Sequence, residues 1–143
     1  MKILVILALL IGIYGCDKRT TPRKVEKKLT TGAWLINDFV DGDSSLIDYY
    51  NNLRLRFGKE GSVSATFKSQ VDGEFAIGTD RNPATIYIDF PATDSLHVLS
   101  DDWAVVLLSD DKVILKRKVG KTGEKDEFDY EKETDNLTFY KFK

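Results

Sequence analysis

From Thr31 onward the apolar positions recur every second residue. Leu53, Leu55 and Phe57 alternate with Asn52, Arg54 and Arg56, and Val63, Ala65 and Phe67 alternate with Ser62, Ser64, Thr66 and Lys68. Ile86, Ile88 and Phe90 alternate with Tyr87 and Asp89. Alternation of this kind marks half-buried strands with one face inward. Turn signals separate the runs: Gly58-Lys59-Glu60-Gly61, Asp72-Gly73, Asp80-Arg81-Asn82-Pro83 and Ser109-Asp110-Asp111-Lys112. The pattern predicts about eight strands, near 32–40, 52–58, 62–69, 73–79, 84–90, 102–109, 112–119 and 135–142.

No helical stripe of useful length interrupts them. Ser44 to Asn51 is the nearest candidate, where Ser45 and Asp48 have capping-box spacing ahead of Tyr49-Tyr50, and one turn of helix is expected there. Ala104 to Leu108 is apolar on both faces, so a cover outside that strand is expected, either 91–101 or the N-terminal part of the mature chain. Gly120 to Asn136 is mostly charged and reads as a long exposed hairpin loop. Short antiparallel strands in sequential order favour an all-β, eight-stranded up-and-down barrel over a Greek-key sandwich. Eight strands enclose room for packed side chains or one small ligand.

Composition narrows the chemistry. The 143 residues include one Cys, one His and one Met, which excludes a thiol-rich metal site and an internal disulfide. The length is that of one domain. Charge is unevenly spread: residues 17–30 carry six Lys/Arg against two Asp/Glu, and residues 31–143 carry 14 against 21. A net of +4 followed by −7 reads as a basic spacer leading into an acidic domain. The spacer is polar and contains Pro22, so it is expected to be mobile. An acidic domain disfavours nucleic-acid binding.

The first residues add an address. Met1-Lys2 precedes an unbroken apolar run, Ile3 to Ile13, and then Tyr14-Gly15-Cys16. The run has the length of a secretory h-region and is too short to span a bilayer. Ile13-Tyr14-Gly15-Cys16 resembles a bacterial lipobox, which implies acylation (palmitate among the chains) at Cys16 after removal of residues 1–15. The expected organisation is therefore signal peptide 1–15, lipidated Cys and basic tether 16–30, and barrel domain 31–143. The expected location is the cell envelope, on a membrane, with inner and outer membrane both open.

A second resemblance covers about residues 29 to 142. Leu29-Thr30-Thr31-Gly32-Ala33-Trp34 resembles the Gly-x-Trp opening of lipocalins. The stretch Leu99-Ser100-Asp101-Asp102-Trp103-Ala104-Val105, continued through Lys112-Val113-Ile114-Leu115, and the closing Leu137-Thr138-Phe139-Tyr140-Lys141 resemble lipocalin-like lipoproteins common in the Bacteroidetes. The resemblance implies a lipocalin-like barrel with Trp34 closing one end. It also implies a basic side chain from the last strand, Lys141, packed across that ring by cation–π contact.

Other candidates have plainer readings. Trp34 and Trp103 serve as core mass more readily than as pocket walls. His97, between Leu96 and Val98, has no second His or Cys to complete a metal site. The acidic run 124–135 and Asp38-x-x-Asp41-Gly42-Asp43 both lack Ca²⁺-loop spacing. Ser44, Ser45, Ser95 and Ser100 sit in no Gly-x-Ser-x-Gly elbow. No enzyme activity, metal or cofactor is expected. Two functions stay open. One is a lipid-anchored protein binding a small apolar or amphipathic ligand in the barrel; the other is a lipid-anchored interaction or structural module with a filled core. The bulky inward set favours a small or closed pocket over a wide calyx.

Overall fold

The structure, a computed structural model, describes residues 21–78, 84–118 and 134–143. Nine strands form one antiparallel sheet: β1 (Ala33–Asp41), β2 (Ser44–Ser45), β3 (Arg54–Phe57), β4 (Ser62–Thr66), β5 (Gln70–Gly78), β6 (Thr85–Asp89), β7 (Asp101–Leu108), β8 (Lys112–Lys118) and β9 (Thr134–Phe142). Pairing of β1 with β9, from Ala33 opposite Phe142 to Val40 opposite Asn136, closes β1 and β3–β9 into an eight-stranded barrel. The two-residue β2 only extends the end of β1. The fold class expected from the alternation is thus the one observed.

Inward positions fill the lumen. Trp34, Phe39, Phe57, Phe90, Trp103 and Phe139 are all buried, interleaved with Ile36, Leu55, Ile86, Leu99 and Leu115. Aromatic contacts run through this core: Phe39 meets Trp103 edge-on at 6.4 Å and Phe57 meets Phe75 at 5.1 Å between ring centroids. Arg54 and Arg56 point outward, as the alternation requires.

Several expectations are corrected. The segment expected as a mobile spacer holds a helix, α1 (Pro22–Leu29), whose Val25 and Leu29 are fully buried. Two apolar residues four apart form a stripe just wide enough to seat one face, which a count of polar residues does not reveal. Pro22 opens that helix, and the Thr21 hydroxyl accepts the Lys24 N–H at 3.4 Å.

Asp72-Gly73 is not a turn. Both residues lie inside β5, and the chain reverses at 67–69, where the Phe67 N–H reaches the Ser69 carbonyl. Gly73 is required by close approach, since a Cβ there would stand 2.4 Å from the Asp89 carbonyl oxygen. The shorter β4 leaves Phe67 beyond the strand and exposed rather than inward. Nor does a cover form over the outside of β7 among the described residues: Val106 and Leu107 are exposed where the register with β8 shifts, between Val105 and Leu107. The short helix near Tyr49 exists as α2 (Ile47–Tyr50), but Leu46 occupies its N-cap and no capping box forms. The charged loop falls largely on residues outside those described, except that Thr134–Asn136 belong to β9 and Asp135 is buried.

Candidate functional site

The two ends of the barrel hold most of the polar structure. At the first end α1 borders β5 through Pro22, Arg23 and Glu26 and reaches the β7–β8 turn through Lys28 and Asp110, so it lies across the opening, and it leads through Thr30–Gly32 into β1. Its last-turn carbonyls are all engaged. The Thr30 and Thr31 hydroxyls donate to the Glu26 and Lys27 carbonyls at 2.8 and 2.6 Å, and the Thr31 N–H reaches the Lys28 carbonyl. The buried Trp34 indole N–H donates to the Leu29 carbonyl at 3.0 Å. Orphan carbonyls at a buried helix end would otherwise be costly. Lys141 pairs with Trp34 across β1 and β9, and its Nζ stands 5.1 Å from the Trp34 ring centroid. Gly32 has φ +85° and lies under the Lys141 stem, with Cε 3.0 Å from where a Cβ would be. A side chain there would be strained at that φ and would press on the Lys141 stem.

A groove of about 320 Å³ runs between the start of α1 and β5, lined by Pro22, Arg23, Glu26, Gly61, Phe75, Ala76 and Ile77. It lies beside the closed end rather than in the lumen.

At the opposite end a 3-10 helix (Ser95–Leu99) caps the barrel, and Leu96 and Leu99 are its buried residues. The Asp94 carboxylate accepts the Leu96 N–H at 2.9 Å. The Ser100 hydroxyl bridges back to Phe90, accepting its N–H at 2.7 Å and donating to its carbonyl at 3.3 Å. The Trp103 indole N–H donates to the Leu99 carbonyl at 2.9 Å. Over that ring lies the Arg117 guanidinium, 4.4 Å from its centroid.

Arg117 is the hub that the sequence did not single out. Its Nε donates to Asp135 at 2.7 Å, and its Nη1 donates to the Val98 carbonyl at 3.0 Å and faces Asp101 at 3.4 Å. Its Nη2 faces Asp41 at 3.5 Å. The other Asp135 oxygen accepts the Gly42 N–H at 2.7 Å. The guanidinium therefore joins β1, β7, β8, β9 and the 3-10 helix in one network. The run Lys116-Arg117-Lys118 gives no signal of it, since an Arg between two Lys reads as a solvated face. Tyr50 closes the same end, donating to the Ser95 carbonyl at 3.2 Å. Burial first, then the charges of Asp94 and Asp41, push its phenol above the ordinary value.

The remaining candidates are dispersed. His97 is exposed on the 3-10 helix, with Nδ1 3.2 Å from the Phe90 carbonyl. Ser44 and Ser45 form β2, and Ser95 lies in the cap. Among the described residues no group of three or more His, Cys, Asp or Glu is arranged to hold a metal ion. No helix among them is long and apolar enough to cross a membrane. Cys16 lies outside the described residues. No protein-family model, curated protein or solved structure matches the chain.

Proposed function

We propose that this is a lipid-anchored envelope protein whose lipocalin-like barrel acts through its outer surface, as an interaction module rather than an enzyme or a lumenal carrier. The observation that carries the reading is the state of the interior. Six large aromatic side chains are fully buried in an eight-stranded barrel, and a helix lies over each end. An eight-stranded barrel has room for packed side chains or for one small ligand, not for both in full. The anchor rests on the run Ile3 to Ile13 and on Gly15-Cys16.

A second reading, carriage of a small amphipathic molecule, draws on the groove between α1 and β5. Phe75 and Ile77 offer it apolar surface, and Arg23 offers a cation at its rim.

Two experiments test these readings. Replacing Cys16 by Ser should release the protein from membranes in a detergent-phase partition; unchanged partition overturns the anchor. Titrating fatty acids while following Trp fluorescence, with native mass spectrometry of protein taken from its own membranes, should give a flat response and no adduct. A saturable response that Ile77→Arg abolishes would favour the groove carrier instead.

A further inference from the structure

We infer that the α1 end of the barrel is a docking face for an anionic bilayer, so that the protein lies with α1 on the lipid and presents the Arg117 end outward. The inference rests on the anchored reading of Cys16 and adds an orientation to it.

Three independent observations converge. The first is the helix. Val25 and Leu29 pin one side of α1 to the core, which leaves Arg23, Lys24 and Lys27 exposed on the other. Lys28 pairs with Asp110 at the β7–β8 turn, and Glu26 is the one acid on the helix. The second is a pair of exposed aromatics running toward the same end. Phe142 pairs with Ala33 at the start of β1, and Tyr140 pairs with Leu35; they are 43% and 37% exposed. Arg54 stands 4.0 Å from the Phe142 ring and Lys112 5.2 Å from the Tyr140 ring. Amphipathic rings beside cations suit the headgroup layer, where one side of the ring is apolar and the other wet.

The third is the contrast with the far end. Asp41, Asp43, Asp48, Asp94 and Asp101 lie there, and Arg117 is already engaged inside that network. An anionic surface attracts one end and repels the other. Reach agrees with charge. Five chain steps separate Cys16 from the N-cap Thr21, and at roughly 3.5 Å each they allow about 17 Å. The far end lies a further 20 Å or so along strands of this length.

Lysine acetylation read residue by residue tests the orientation, using full-length protein purified from its membranes. The probes are vesicles of phosphatidylcholine alone and vesicles with about 30% phosphatidylglycerol. On the anionic vesicles Lys24 and Lys27 should be modified about threefold less than on neutral ones, while Lys68, in the β4–β5 turn at the far end, should be unchanged. About 0.5 M NaCl should erase the difference. Equal modification on both vesicles, protection at Lys68 instead, or no binding to anionic vesicles at low salt would overturn the docking face. The anchor is read separately, by flotation with neutral vesicles, where these charges contribute nothing. Its failure would leave the anionic footprint still to be scored.

Discussion

Arg117→Met separates a structural hub from a surface ion pair. Met keeps most of the stem volume, so the change removes charge and hydrogen bonds without opening a large cavity. The Arg117 side chain is 11% exposed and its closest partner, Asp135, 5%. Removing one member of a buried pair strands the other, at about 3–5 kcal/mol. Loss of the cation over Trp103 accounts for about 0.5–2 kcal/mol, part of it the same energy counted twice. Asp41 and Asp101 are 42% and 37% exposed and more distant, so each adds less than about 1 kcal/mol. The expected total is about 4 kcal/mol, a large share of a typical stability of about 5–15 kcal/mol, equivalent to a fall in Tm of about 15 °C. Urea unfolding followed by Trp fluorescence measures it. The second arm adds Asp135→Asn to Arg117→Met. The amide oxygen can still accept the Gly42 N–H, but the stranded charge is gone, so the double variant should regain about 2 kcal/mol. A loss below about 1 kcal/mol in the single variant, or a double variant no more stable than the single, would refute the argument.

Leu29→Ala should cost about 2–4 kcal/mol in the same urea assay, because Leu29 is fully buried under the barrel end, whereas Lys24→Ala on the exposed side of α1 should stay within about 0.5 kcal/mol. Gly73→Ala should destabilise by more than about 1 kcal/mol, since the new methyl meets the backbone oxygen of Asp89 and the Phe90 ring; a shifted urea midpoint with unchanged slope is the expected signature. Tyr50 gives a pH dependence. Its phenol ionises later in the fold than in the unfolded chain, so its contribution is complete below the ordinary value of 10.0 and is lost as pH rises through the raised one. Tyr50→Phe should flatten that alkaline decline in Tm, and an unchanged slope would show that Tyr50 is not its source.

All eight barrel strands were legible because one buried face forces an alternation that survives without context. The errors arose where a local signal had two physical causes. Asp72-Gly73 looks like a turn because Gly relieves backbone strain, yet here Gly73 relieves contact with β6. Ala104 to Leu108 looks covered on both faces, but the register shift beside Val106 turns two apolar side chains to the outside. Residues 22–29 look like a spacer because six of the eight are polar or Pro, and only the four-residue step from Val25 to Leu29 carries the contact. The pairing of Lys141 with Trp34 was reached through resemblance rather than periodicity. Arg117 was missed because its meaning lies in Asp41, Asp101 and Asp135, brought together from three distant parts of the chain. No local pattern encodes that meeting.

The two barrel ends are built alike, and their likeness bears on function. Each has a helical cap ending in a buried Leu, Leu29 or Leu99, whose carbonyl accepts the indole N–H of a Trp early in the following strand. Each Trp carries a cation over its ring, Lys141 or Arg117, and each strand shifts register three residues later, at Asn37 or Val106. The device consumes the polar edge of the indole and places its bulk where a ligand entrance would be. Two such plugs leave the lumen's ends occupied by side chains that are hydrogen-bonded in place, so opening either means breaking a buried bond and exposing a large ring at once. What differs between the ends is the outward charge: cations on α1 at one, carboxylates around Arg117 at the other. Among the described residues the barrel is thus sealed twice by the same means, and the side chains that differ between its ends are the charged ones on the outside, not the plugs within.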